Sequence, residues 1–400
     1  MLPRGMAGRL TVDFLKTESS SGLAPAAAAA LALILANSPL AHVYFAILAK
    51  PIPVQLGAFA QTESAAGWIK DGLMAIFFLI VGLEIKFEVL RGELSSPRRL
   101  ATPILAAAGG MIAPALIYLA INQAPGGAAR GWPVGTPTDI AFAIAALAVA
   151  APRLPPSLRL FLLTLAIADD FVAVGLIGVL YTARLDWAAA AGAVAVLALL
   201  AAFSSARRGP LLLYAVGFVL VWAFCLKSGI NTSVAGVACA LTVPVGARRP
   251  GGESMVTLFM DALHPWVAYG VLPLFAFAAA GFSFRGLGVS DILSPVTLGV
   301  FLALLIGKPL GVFGVALLAA VLKIGRRPAG ATWLELLGVA AFTGVGFTMS
   351  LYLGALAFDP SAGQTQARLG VIAGSLASIG LGWLLLALAN TRRAAGGEEF

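Results

Sequence analysis

The sequence predicts an all-α polytopic membrane protein of about twelve transmembrane helices, arranged as inverted repeats with two interrupted crossing helices, spans 4 and 11. Three observations lead there. Of 400 residues, 60% are hydrophobic and only 11% charged, and the mean hydropathy is +0.96, whereas a soluble domain carries roughly 25% charged residues. The apolar residues come in runs of about 20, the length that crosses a bilayer as a helix. Two of the runs are broken near their middle, one at Pro137 and the other at Gly344 and Gly346.

The same composition excludes several classes. The net charge of +8 comes from short Lys/Arg clusters between apolar runs, the pattern of topology signals and not of a nucleic-acid face. Cys225 and Cys239 lie in apolar segments, and His42 and His264 are the only histidines. Neither pair suggests a disulfide framework or a metal cluster, and no cofactor is expected. Arg4, Arg9 and Lys16 ahead of the apolar stretch Leu23 to Ala36 imitate a signal peptide, but many hydrophobic helices follow, so the stretch reads as a retained first span. The whole chain, 1–400, reads as one transporter domain within the membrane, with 391–400 as a cytoplasmic tail.

Taken in order, the first span runs from Asp13 to Asn37. A less hydrophobic stretch follows, Pro39 to Gln61, in which Val43–Leu48 and Val54–Phe59 are short and rich in β-branched or aromatic residues; they suggest a β-hairpin outside the bilayer. Span two is Ala65–Leu90, span three Thr102–Ile121 and span four Gly135–Ala151, which is short and broken by Pro137. The fifth lies within Leu160–Leu180. Spans six to eight are Trp187–Phe203, Leu211–Leu226 and the short Ile230–Val243. Spans nine to twelve are Met255–Phe282, Pro295–Val321, Trp333–Phe358 and Ala367–Ala389. With the N-terminus inside, every inside connection carries at least two basic residues, so the Lys/Arg bias places both termini in the cytoplasm. Pro103 lies 35 residues before Thr138, and Pro309 lies 35 residues before Gly344. An interrupted helix thus follows at the same distance in two halves that enter the membrane from opposite sides, the pattern of an inverted-repeat secondary transporter with its site at the crossing.

The chemistry centres on Asp169 and Asp170, adjacent carboxylates inside span five. A charge at mid-membrane costs at least ~2.5–3.5 kcal/mol on insertion scales, and two neighbours also repel each other's ionised form. Such groups face a cavity and handle ions or protons, or else pair with a base elsewhere in the bundle. Lys308 is the only basic residue deep in an apolar run; it needs a counter-charge, and Asp169 or Asp170 is the natural candidate. Around the first break, Pro137 lacks an N–H and disfavours helix at Thr136. Thr138 or Asp139 then suits the N-cap of a new half-helix, where Asp139 also neutralises the positive ends of half-helix dipoles. The second break, Thr343 to Ser350, relies on glycine to unwind. Glu84 and Glu88 lie one helical turn apart at the end of span two and suggest an acidic funnel at the cytoplasmic mouth.

These parts fit one mechanism. A hard cation such as Na⁺ prefers oxygen ligands, and carboxylates supply them only when deprotonated. Burial raises a carboxylate's pKa towards neutrality, so one site can hold protons or a cation but not both. With alternating access, that competition is antiport, with activity rising with pH until protons become limiting.

Seven stretches, in order along the chain, resemble the NhaA family of sodium/proton antiporters. They are Phe77–Lys86, Thr138–Ala143, Ala166–Asp170, Lys227–Ile230, Leu263–Tyr269, Gly307–Gly311 and Gly344–Ser350. The resemblance implies electrogenic exchange of cytoplasmic Na⁺ or Li⁺ for external protons, driven by the proton gradient and regulated by pH, in a bacterial inner membrane. It implies a cation and proton site at Asp170, Asp169 and Thr138, with Na⁺ at Asp169 and Asp170. Asp169 is paired with Lys308, and Asp139 compensates the dipoles of the crossed half-helices. Glu84 and Glu88 serve the funnel and the pH response, and the segment 39–61 joins two protomers into a dimer. Asn231, Met260 and Asp261 depart from residues that some members use in pH response, so the resemblance does not fix the pH set-point.

Three rival functions use parts of this pattern. An intramembrane aspartyl protease needs two membrane carboxylates on separate helices, but the Gly-x-Gly-Asp motif of that class is missing and Lys308 has no place in it. A cation-coupled organic-solute carrier on a related fold needs a larger cavity with polar or aromatic contacts. A passive channel does not call for the buried Lys/Asp set.

Overall fold

The computed structural model describes residues 22–56, 59–91, 97–152, 154–182, 185–205, 210–245, 254–358 and 362–396. The part of the first span before Gly22, and the topology charges Arg4, Arg9, Lys16, Arg153, Arg184, Arg207, Arg208, Arg248 and Arg249, lie outside the described residues. The chain divides into two compact units, each discontinuous in sequence. The first draws on Met1–Ala27, Ser96–Asp169 and Arg285–Phe400, and the second on Ala28–Ser95 and Asp170–Phe284.

The second unit opens with α1 (Leu23–Ala36), most of which it holds, and α2 (Ala41–Ala49), bent 114° from α1. Strands β1 (Pro51–Leu56) and β2 (Phe59–Ser64) follow, antiparallel with Leu56 opposite Phe59 and Pro51 opposite Ser64. The strand expected over Val43–Leu48 is therefore a helix, and the hairpin occupies 51–64. A short apolar run does not by itself distinguish strand from buried helix. Packing decides: Tyr44 sits against Ala32 and Ala36 with Leu48 and Phe277 beside it, and its hydroxyl donates to the Phe277 carbonyl at 2.6 Å.

Helix α3 spans 65–91, with a π-turn at Ile69–Leu73 between α-helical Ala65–Trp68 and Met74–Arg91. Its principal partner, α9 (Thr232–Thr242), approaches so closely at Gly82 that a Cβ there would lie 2.7 Å from that of Ala240. Leu79 and Leu83 of α3 join a core that includes Leu200 of α7 (Trp187–Ser205), Val221 of α8 (Leu211–Ser228), Cys239 of α9 and Phe259 of α10 (Met255–Ala280). Both ends of the short α9 are capped. Asn231 Oδ1 accepts from Ser233 N at 3.0 Å, and Lys86 Nζ donates to the carbonyls of Leu241 and Val243 at 2.5 and 2.6 Å. A cation at a helix C-terminus is stabilising because the last carbonyls carry the negative end of the macrodipole.

The first unit contains α4 (Pro97–Ile121), α5 (Ile140–Ala150), the Asp169 end of α6 (Pro156–Leu180), α11 (Pro295–Val321), α12 (Trp333–Phe342), α13 (Phe347–Ala357) and α14 (Ala362–Gly396). Helix α14 runs beyond the expected end of its span at Ala389, through residues expected to be tail; 397–400 lie outside the described residues. A 3₁₀ segment, Ala129–Gly135, precedes α5 at an angle of 45°, and α12 precedes α13 at the same angle. Helix α11 contains a π-turn at Ala303–Gly307, immediately before Lys308. Pro309 has no N–H for the carbonyls one turn back, and the Ser378 hydroxyl donates to the Leu304 carbonyl at 3.3 Å.

The molecule is multi-pass by length and composition. Among the described residues, seven single helices are long and apolar enough to cross a membrane, or ten spans in all if each of the three bent pairs counts as one.

Candidate functional site

The site sits where the two bent pairs of the first unit touch. In the first, the 3₁₀ turn ends at Gly135, and Pro137 keeps Thr136 to Asp139 out of the helix. Asp139 then caps α5, its Oδ1 accepting from Phe142 N at 3.2 Å. In the second, α12 closes at Thr343, and Gly344 to Gly346 separate it from α13. The breaks bond to each other: Asp139 N donates to the Val345 carbonyl at 2.7 Å, and Thr138 Oγ1 lies 3.0 Å from the Thr343 carbonyl. Unwound backbone at membrane depth is tolerated only where protein or a cavity satisfies it, and here each break satisfies part of the other.

Asp139 serves both half-helices. Its Oδ2 accepts from Thr348 N at 2.9 Å and also from the Thr348 hydroxyl, while Oδ1 holds the start of α5. A single carboxylate, 3% exposed, thus meets the positive ends of α5 and α13 together. The sequence reading has Asp139 in this role. It misses Thr348, whose only signal is a hydroxyl two residues past Gly346, at the start of a half-helix.

Beside the crossing lies the charged pair. Lys308 Nζ contacts Asp169 Oδ2 directly and donates to Thr138 Oγ1 at 3.0 Å. Lys308 and Thr138 are fully buried, and Asp169 is 1% exposed. Of the two candidate counter-charges, the lysine takes Asp169. Thr138 Oγ1 receives the lysine proton and has one proton of its own to give, either to Asp169 Oδ2 at 2.8 Å or to the Thr343 carbonyl at 3.0 Å. That hydroxyl can therefore re-aim when the charge on Asp169 changes. Asp169 Oδ1 is buried with no hydrogen-bond partner among the described residues, so it is an oxygen left for another ligand.

Asp170 is the next residue of α6 and is equally buried, at 1%. One residue turns a side chain about 100° around a helix, so Asp170 points away from the direction Asp169 takes towards Lys308. The division between the two compact units falls between these aspartates.

The other sequence candidates lie in the second unit. Glu84 Oε1 is 3.7 Å from His264 Nδ1. Glu88, a turn further on, is half-buried. Among the described residues, no three His, Cys, Asp or Glu side chains gather as a metal centre. The donors at the crossing are carboxylate, hydroxyl and carbonyl oxygens, the set that suits a hard cation passing through as substrate.

Comparison with known proteins gives one consistent answer. A family model described as Na⁺/H⁺ antiporter 1 matches residues 12–386. The Na⁺/H⁺ antiporter NhaA of Pseudomonas putida is 44% identical over 392 residues, covering 97% of this chain and 99% of that protein. That of Bordetella parapertussis is 46% identical over 384 residues, 95% and 96% of the two chains. That of Nitrobacter hamburgensis is 48% identical over 376 residues, 94% and 90%.

Proposed function

This chain belongs to the NhaA family of Na⁺/H⁺ antiporters, and we propose that it carries Na⁺ or Li⁺ out of the cytoplasm in exchange for external protons, electrogenically and driven by the proton gradient. It is a transporter and not an enzyme. The observation that carries the detailed reading is the buried set Thr138, Asp169 and Lys308, with one oxygen of Asp169 unengaged and Asp170 as the next residue.

In this reading Na⁺ binds at Asp169 and Asp170, with Asp170 as the direct ligand and Thr138 adding a hydroxyl oxygen. Cation binding requires both carboxylates deprotonated. Drawing Asp169 towards the cation weakens its hold on Lys308, and the Thr138 proton swings to the Thr343 carbonyl. When protons return, the cation loses its ligands and leaves. Asp139 does not exchange; it keeps the half-helix ends neutral so that the field at the site follows the occupancy of Asp169 and Asp170. Glu84 and Glu88 tune the pH response.

The seven single spans, the three bent pairs, residues 65–91 and the short Thr232–Thr242 together make the twelve spans we assign. Both termini are assigned to the cytoplasm of a bacterial inner membrane, and the hairpin within 39–61 and its continuation to Ser64 to a homodimer contact.

The test uses liposomes reconstituted with the protein and holding a pH gradient, to which Na⁺, Li⁺ or K⁺ is added. Collapse of the gradient by Na⁺ and Li⁺, with K⁺ silent and Asp170→Asn inactive, is the expected result. Folded, inserted wild type that responds to neither ion between about pH 6 and 9 would sink the exchange. Na⁺-dependent uptake of an organic solute by the same vesicles would move the assignment to a coupled carrier.

A further inference from the structure

The near ends of α5 and α13 meet at Asp139; their far ends have holders of their own. We propose that Arg130 is a positioning residue for the exchange: it braces the far end of α13 against the turn that begins the other interrupted helix, and so sets how tightly the cation is bound.

Arg130 Nε donates to the carbonyl of Ala357, the last residue of α13. Its guanidinium also lies 5.8 Å from the centroid of the Phe358 ring, within cation–π range. The contact is close-packed. Tyr118 Oη donates to the Ala128 carbonyl at 2.9 Å, which fixes the start of the turn. A Cβ at Gly131 would run into Tyr118 Oη and lie 2.6 Å from the Phe358 ring, so the turn is packed between α4 and the residue that follows α13.

Helix α5 offers the internal comparison. The two carbonyls just past its C-terminus are met by an arginine, Arg159, whose Nη2 donates to Pro152 O at 2.7 Å and approaches Ala151 O at 3.4 Å. Each half-helix therefore has a carboxylate at its positive end and a guanidinium at or just past its negative end, an arrangement that favours both poles of its dipole. The two arginines differ in reach. Arg159 closes over residues seven and eight positions away, whereas Arg130 reaches across 227 residues. Only Arg130 of this pair ties one interrupted helix to the other.

An 11-residue helix is a short, stiff rod roughly 16 Å long at 1.5 Å per residue. Releasing its far end lets its near end drift, and the near end carries Thr348, which supplies two of the donors that hold Asp139. Sites of this kind need their groups held to about 0.5 Å. The expected effect is on cation affinity more than on turnover.

The inference rests on the antiport reading, and the experiment separates the two. Exchange is measured in liposomes for wild type, Arg130→Gln, Arg130→Lys and Arg159→Gln. Arg130→Gln should raise the half-saturating Na⁺ about 5–10-fold, with the maximal rate within about twofold, and Arg130→Lys should recover most of the loss because an ammonium also suits a helix C-terminus. Arg159→Gln should move the half-saturating Na⁺ less. An unchanged half-saturating Na⁺ in Arg130→Gln overturns the brace, as does a loss confined to yield and maximal rate, or a lysine variant no better than the glutamine. If Arg130→Gln does not fold, Phe358→Leu, which takes away the ring that the guanidinium lies over, must raise the half-saturating Na⁺ in the same direction or the proposal fails. A wild type without exchange would instead overturn the antiport reading itself.

Discussion

Two lysines lie inside apolar runs of this chain, and they are held in opposite ways. Lys308, in the first unit, is fully buried with its ammonium on Asp169 and Thr138. Lys86, in the second, is half-buried, with its ammonium on the backbone carbonyls that close α9. A carbonyl does not take up a proton, so the partner of Lys86 has one charge state. A carboxylate does, so the contact of Lys308 has at least two. The partner, more than the lysine, separates a contact of fixed charge from one whose charge can change.

That contrast can be broken by substitution. The largest effect is expected at Asp170→Asn, which should bring exchange to background while the protein still inserts and elutes as a folded species. Lys308→Gln comes next. It leaves Asp169 buried without its counter-charge, and removing one partner of a buried pair costs about 3–5 kcal/mol, so thermal melting in detergent should drop sharply together with exchange. Adding Asp169→Asn to Lys308→Gln should return much of the melting temperature but not the exchange; recovery of both would mean the pair is only structural. Lys86→Gln should cost about 1 kcal/mol, the scale of a helix-terminal charge, and leave exchange within about twofold. Should it silence exchange with an unchanged melt, the contrast between the lysines collapses. The smallest effect is expected at Glu88→Gln, a displacement of the pH profile with the maximal rate kept. In wild type, exchange should rise with pH as protons vacate Asp169 and Asp170, then flatten or fall as protons become limiting.

Much of the site is legible in the amino-acid sequence, because the membrane makes polar residues conspicuous. Two adjacent aspartates, one deep lysine and a Pro-Thr-Asp break stand out against an apolar background, and each has few explanations. The choice among partners is not legible in the same way. Asp169 and Asp170 are equal candidates for Lys308 in one dimension, since a helical run places both on one span and only the three-dimensional crossing picks a side. Thr348 carries no mark in the sequence because its acceptor, Asp139, is 209 residues away. Lys86 has no assigned role in the sequence; its contact appears only where α9 ends beside it. The strand expected over Val43–Leu48 fails for a different reason: six apolar residues fit either geometry, and Tyr44 settles the matter through Phe277.

The double duty of Asp139 also bears on how the chain is made. A ribosome adding about 5–20 residues per second exposes Asp139 roughly 10–40 s before Thr348 is synthesised. In that interval the nascent chain delivers 170–284, which belongs to the other compact unit. The first bent pair is therefore complete while its carboxylate still lacks the donors Thr348 will bring. The order of synthesis makes the crossing a late joint to close, and a chain halted before residue 348 would be left with an unfinished anionic centre.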